Sequence, residues 1–172
     1  MQFFCVSIAL EERGKIILGV VYAPVLGEFY IAEKGQGAYL YKGDFGLRMT
    51  GGTRLKVSKT KKISDALIVT GFSYKKTDNM TVELKSFRKF LMLSRAIRRL
   101  GSAALDLSYV ARGVFDAYCE RGLKPWDTAA AKLFVEEAGG SVTNFKNNTY
   151  NYYTAELAAS NGLLHKAILK TV

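Results

Sequence analysis

The residues best placed to do chemistry are acids at element boundaries. Asp127 follows Lys124-Pro125-Trp126, which includes the only tryptophan of the chain, and opens an apolar run that closes at Glu137-Ala138-Gly139-Gly140. An acid at a helix mouth can cap the free amides of the first turn or offer carboxylate oxygen to a hard cation such as Mg²⁺. The two roles are compatible, because one oxygen can cap while the other binds. Pro125 and Trp126 stiffen the approach, which suits a preorganised ligand. Glu120 ends an apolar strand pattern, either as a solvated strand end or as an acceptor for a substrate hydroxyl. Gly101-Ser102-Ala103-Ala104 reads as a helix entry capped by Ser102. Its small side chains would also let a polar ligand approach free backbone amides.

Composition narrows the classes. The chain has 172 residues, enough for one domain with a sizeable core. Apolar residues make up 49 % of it and mean hydropathy is +0.03, as expected of a soluble globular protein. No apolar run approaches the roughly 18 residues a membrane span needs. Phe3 to Leu10 is short, has no basic segment before it and runs into Glu11-Glu12, so it reads as a buried strand and not as a secretory signal. Cys5 and Cys119 form no CxxC pair; two reduced thiols fit a cytoplasmic protein. One histidine, His165, is too few for a zinc site or a His-based triad. A net charge of +10 favours polyanions: nucleic acid, phosphorylated substrates or acidic partners. Lys85, Arg88, Lys89, Arg95, Arg98 and Arg99, with lysines at 59–62 and 75–76, form either a solvated face or an RNA surface. No RRM or KH fingerprint accompanies them.

Two styles of chain must position these residues. Residues 3 to 58 read as an antiparallel meander: Phe4, Val6, Ile8 and Leu10 alternate with Cys5, Ser7 and Ala9, and Ile16 to Ala23 is apolar on both alternating sets, which predicts cover on both faces. Lys42 to Thr53 reads as a glycine-rich loop, and Arg54 to Ser58 as an edge strand. From residue 66 strands and helices alternate. Strands are expected at Ala66–Phe72, Ala96–Leu100, Phe115–Glu120, Ser141–Phe145 and Glu156–Ser160. Helices are expected from Thr81 to about Leu93 with Leu84, Phe87 and Leu91 as its apolar stripe, from Ser102 to Gly113, from an Asp127 cap to Gly139, and from about Leu163. The expected fold is therefore a layered α/β (α+β) one: an antiparallel sheet portion at 1–65 and a mixed α/β sheet portion with helices at 66–172. Asn147 to Tyr153 is a polar and aromatic loop with no assigned role.

The order and spacing of G-S-A-A-L-D-L (101–107), Y-V-A-R-G (109–113), the acid Glu120, K-P-W-D-T-A-A (124–130) and E-A-G-G (137–140) resemble the inositol monophosphatase family, in particular its bacterial extragenic suppressor branch. V-S-I-A-L (6–10), G-V-V-Y-A-P (19–24), G-Q-G-A-Y (35–39) and Ser160-Asn161 extend the resemblance over nearly the whole chain. It implies a sugar-phosphatase fold that hydrolyses inositol or sugar phosphates with Mg²⁺-activated water. It also implies Asp127 as a metal ligand, Glu120 as the acceptor of a substrate hydroxyl, and Ser102 and Ala103 as pocket lining. The family's other metal ligands come from G-E-E or G-D-E and D-P-[IL]-D-G-T motifs, and neither occurs in this sequence. The resemblance thus implies that about the first third of a usual member is absent, with helices that cover the first sheet. The expectations that follow are an exposed apolar sheet surface, little activity alone, and a missing N-terminal segment or a homodimer as partner. An RNA or an acidic protein partner is the alternative, with no membrane role.

Overall fold

The computed structural model describes residues 3–43, 51–73 and 79–172. Lys75 and Lys76, and most of the expected 42–53 loop, lie outside them. The first sheet is an antiparallel meander of β1 (Val6–Glu12), β2 (Lys15–Ala23), β3 (Glu28–Glu33), β4 (Gly37–Lys42) and β5 (Thr53–Arg54), in that spatial order. Arg13 and Gly14 join β1 to β2 with φ of 51° and 77°, the doubly positive turn whose twist matches a tight hairpin. The second sheet has the order β7-β6-β8-β10-β9, from β6 (Leu67–Thr70), β7 (Ala96–Arg98), β8 (Ala117–Arg121), β9 (Ser141–Thr143) and β10 (Glu156–Ser160). β6 runs parallel to β7 and β8, whereas β10 is antiparallel to β8 and β9. The antiparallel sheet followed by a mixed one is the expected class.

Among the described residues four helices complete the layers: α1 (Asn79–Leu93), α2 (Ala103–Ala111), α3 (Pro125–Glu137) and α4 (His165–Leu169). α2 and α3 lie between the sheets, where Val21, Tyr30 and Leu40 of the first sheet join Leu105, Leu107, Val110, Phe134 and Val135 of the helices and Val69, Tyr118 and Leu157 of the second. A second cluster sets Ile68, Ala117 and Ala158 against Phe90, Leu164 and Ile168, which places α1 and α4 on the far side of that sheet. Small residues let α3 approach closely: a Cβ on Gly19 would stand 2.7 Å from the Ala130 carbonyl oxygen.

Polar clasps fix these layers. Glu28 is buried and accepts from Tyr30 Oη (2.8 Å), Tyr109 Oη (3.1 Å) and an Arg112 guanidinium nitrogen (2.8 Å), tying the end of α2 to the first sheet. Glu137 accepts from the Gly35 and Gly37 amides at 2.7 and 2.8 Å, so E-A-G-G holds the G-Q-G turn. Asn161 donates to Ser58 Oγ and the Thr60 carbonyl and accepts from the Leu164 amide. His165 sits between Ser160 Oγ (3.0 Å) and Thr143 Oγ1 (2.9 Å), and burial lowers its pKa.

Several sequence expectations change. Phe4, Val6, Ile8 and Leu10 are 53–61 % exposed, so the first strand is buried on one side only. β2 likewise buries Gly19, Val21 and Ala23 fully and leaves the alternate set partly exposed. On α1 the buried positions are Glu83 and Phe90, whereas Leu84 and Leu91 are more than half exposed. The helix is seated about a third of a turn from the expected stripe, with Phe90 turned into the cluster that holds Ile68, Ala117 and Cys119 of the second sheet. The expected 54–58 strand shrinks to two residues, since Leu55 and Val57 turn their amides to Ala38 and Ala138. β6, β7 and β9 are shorter than expected at one or both ends, β8 is shifted to Ala117–Arg121, and β10 spans Glu156–Ser160 as expected; α4 starts two residues later, at His165. Among the described residues no helix is long and apolar enough to cross a membrane.

Candidate active site

Five elements converge on one open cavity of about 700 Å³. β1 contributes Cys5 and Ser7, the end of β6 Gly71, the entry of α2 Ser102 and Ala103, and β8 with the start of α3 Glu120 and Asp127. The four residues picked from sequence therefore line the same space, although up to 25 positions separate them in the chain.

Asp127 does not cap α3 in the way expected. Helix geometry begins at Pro125, so Lys124 is the N-cap and Asp127 sits three residues in. Its Oδ2 reaches back to accept from the Lys124 amide at 2.8 Å, the return half of a capping box. One carboxylate oxygen is thereby fixed and the other is left for the cavity. Ser102 holds the N-cap position of α2 but makes no capping bond; its Oγ lies 3.6 Å from Cys5 Sγ. Trp126 is exposed, not packed as a buttress.

Glu120 is fixed by Tyr118, whose phenol donates to Oε2 at 2.6 Å. Burial raises the Glu120 carboxyl; the Tyr118 hydrogen bond opposes this, the negative charge of Asp127 adds to it, and the net value is about 7. Gly71 lies directly under this carboxylate, and a Cβ there would overlap Glu120 Oε2. We expect Gly71→Ala to cost about 1–3 kcal/mol of stability. Combined with Glu120→Ala the loss should be far less than additive. Urea melts of the two single variants and the double variant check this, and additive losses would contradict it.

Asp106, the acid of G-S-A-A-L-D-L, was not singled out from sequence. It is 1 % exposed, its Oδ1 has no hydrogen-bond partner, and burial with the Glu120 charge raises its pKa to about 8. The available signal was an acid inside an otherwise apolar helix. Tyr150, inside the unassigned 147–153 loop, is also buried: its hydroxyl lies 3.1 Å from Thr128 Oγ1, next to Asp127 in sequence. Arg99 lines the cavity with its guanidinium 5.5 Å from the Phe72 ring centre.

Burial, with the negative charge of Asp127, raises the proton affinity of Glu120, and Arg99, Arg121 and Lys124 line the same cavity beside the two acids. Among the described residues, however, no three His, Cys, Asp or Glu side chains are grouped to hold a metal. Mg²⁺ demands near-octahedral oxygen coordination. Asp127 and Glu120 do not meet that demand, so the described residues do not by themselves fit the ion.

Residues 1–172 match the inositol monophosphatase family throughout. The chain belongs to that family. It is 39 % identical over 171 residues to the Nus factor SuhB of Pseudomonas aeruginosa, covering 98 % of this chain and 59 % of that protein. It is 37 % identical over 172 residues to the inositol-1-monophosphatase of Mesorhizobium japonicum, covering 100 % of this chain and 61 % of the relative. The structure of inositol monophosphatase from Anabaena superimposes with a TM-score of 0.86 at 38 % identity, over 99 % of this chain and 64 % of that one. This chain thus spans about three fifths of the relatives it matches and corresponds to their C-terminal part. Family members generally use Mg²⁺.

Proposed function

We propose that this chain is the substrate-cradling part of a Mg²⁺-dependent phosphomonoesterase acting on inositol or sugar phosphates, and that it turns over little or no substrate alone. The observation that carries this reading is the meeting of Asp127, Glu120, Ser102 and Ala103 around one cavity that lacks a full set of ligands among the described residues. Mg²⁺, held with ligands additional to the described residues, would supply an activated water and neutralise phosphoryl charge. In this reading Asp127 contributes one carboxylate ligand, held in aim by the Lys124 amide. Glu120, near half-protonation at neutral pH, can accept from or donate to a sugar hydroxyl while Tyr118 fixes its other oxygen. Ser102 and Ala103 leave the entry of α2 open to polar substrate oxygens.

The test is a phosphate-release assay on the purified chain with inositol-1-phosphate and Mg²⁺. No turnover above the buffer rate is expected. Turnover at ordinary enzyme rates that Asp127→Asn abolishes would refute the inactivity.

A second reading rests on the name of the Pseudomonas relative, a Nus factor, and on the basic face. Lys85, Arg88, Lys89, Arg95, Arg98 and Arg99 are all exposed, on α1 and the strand after it. On this reading the chain binds RNA or an acidic transcription partner. RNA affinity that falls with salt, is lost when Arg98 and Arg99 are neutralised, and is unchanged in Asp127→Asn would favour it.

A further inference from the structure

Five charged side chains line the candidate cavity: Glu120 and Asp127, and with them Arg99, Arg121 and Lys124. The acids serve the phosphatase reading, and the cations do not. Arg121 is committed elsewhere, in an ion pair with Glu156 at 2.5 Å and over the Phe145 ring at 4.4 Å. Arg99 and Lys124 stand in no ion pair among the described residues, although Lys42, Arg112, Arg121 and Lys132 each do. Arg99 directly follows β7, and its guanidinium rests 5.5 Å from the centre of the Phe72 ring, a contact that holds the planar fork in the cavity wall. Lys124 is the N-cap of α3; its backbone amide is spent on Asp127, and its ammonium meets no carboxylate. Ser102 makes no capping bond, so its hydroxyl is a further donor in the same wall.

Burial is the main cause of the raised Glu120 carboxyl, and the positive charge of Arg99 is near enough to oppose it. Glu120 itself suits a neutral hydroxyl. A guanidinium and an ammonium without carboxylates suit an anion, and a dianion best, because each adds a charge-assisted hydrogen bond. The walls of a cleft focus such a field on what enters it. The space, about 700 Å³, falls within the usual range of about 300–1,000 Å³ for small-molecule pockets. We propose that Arg99 and Lys124, with the Ser102 hydroxyl, bind a second phosphate of the substrate, so that the preferred substrate is a sugar or inositol bisphosphate and not a monophosphate. The phosphate to be cleaved keeps its place on the Asp127 side of the cavity, and the other anchors the ring from the Arg99 side. The anion site stands on the unpaired cations; only the role of the first phosphate rests on the phosphatase reading.

The test has two arms. In the first, the chain alone is titrated without Mg²⁺ at low salt with inositol-1,4-bisphosphate and followed by amide chemical shifts. Shifts should gather at Arg99, Gly101, Ser102 and Lys124, with a Kd of about 1 mM or tighter. Arg99→Gln with Lys124→Gln should weaken binding about tenfold; both side chains are exposed, so this variant should melt as the parent does. Lys166→Gln with Lys170→Gln removes the same charge from exposed positions at α4 and should change Kd by less than about twofold. No saturable binding, or equal weakening by both pairs, overturns the proposal.

In the second arm the chain is joined behind the part of Anabaena inositol monophosphatase that precedes the matched region. The quantity read is kcat/KM with Mg²⁺ for inositol-1,4-bisphosphate relative to inositol-1-phosphate. The bisphosphate should be favoured about tenfold or more, and the Arg99/Lys124 variant should bring the ratio near one. A parent ratio near one overturns the proposal even where the first arm finds binding. If neither compound turns over, the phosphatase reading fails, and the anion site is judged by the first arm alone.

Discussion

When this chain is fused behind the part of Anabaena inositol monophosphatase that precedes the matched region, Asp127→Asn should lower kcat/KM for inositol-1-phosphate by about a thousandfold, equivalent to about 4 kcal/mol of transition-state stabilisation on the proposed reading. The amide keeps the size of the side chain and an oxygen that can still accept from the Lys124 amide, now 2.8 Å away. Helix α3 should therefore lose no more than about 1 kcal/mol. In the proposed reading what disappears is a carboxylate charge offered to Mg²⁺, and neutral oxygen is a weaker ligand for a hard cation. Thermal unfolding with added Mg²⁺ separates the two effects. The parent melting temperature should rise with Mg²⁺ concentration as a ligand of the native state requires, and that of the variant should not. A rate within about threefold of the parent would mean that the charge of Asp127 is not used.

The second large effect is on stability against pH, at Asp106. This carboxyl is buried with one unpartnered oxygen, and its pKa rises from 3.8 to about 8. Between about pH 4 and pH 8 the native state keeps a proton that the unfolded chain has released. Stability therefore falls as pH rises through this window and levels off above it, where the native state holds a buried charge. Glu120, raised to about 7, contributes with the same sign. Asp106→Asn cannot ionise, so it should flatten much of the slope and exceed the parent above pH 8 by on the order of 2 kcal/mol. The advantage should shrink as pH falls through the window and vanish below about pH 4, where native and unfolded parent are both protonated at this position. His165 acts in the opposite sense: burial lowers its pKa, the unfolded state takes up the proton first, and stability is lost as pH falls below about 6.5. Urea unfolding at pH 5, 7 and 8.5 reads all three groups. A parent whose stability rises steadily from pH 5 to 8.5 would contradict the state assigned to Asp106.

That Asp127 and Glu120 sit at element boundaries was legible because such signals are local. Asp127 and Glu120 stand where a strand ends and a helix begins, and turn chemistry places such positions from sequence alone. Their meeting with Ser102 was legible only through the resemblance, since β8 and α2 come together by packing. The fold class followed from the change of periodicity near residue 66. What sequence misassigned was which side of an element faces inward. The Leu84, Phe87 and Leu91 stripe was the obvious apolar face of α1, yet Phe90 and Glu83 are the buried pair. Alternation in β1 was read correctly, but an apolar row does not say whether its cover lies within the same chain. Asp106 escaped because an acid in an apolar helix has no local signature of burial; the penalty comes from layers contributed by distant segments.

Helix α3 carries Asp127 in its first turn and Glu137 as its last residue, where the two Gly35 and Gly37 amides grip it. Thirteen residues make a strut of about 20 Å between these points. The remote hairpin thus acts as the far bearing of a rigid beam whose near tip aims the carboxylate. A substitution at Glu137, with no atom in the cavity, would let that tip swing, and the direction in which Asp127 offers its carboxylate would blur before the fold itself gave way.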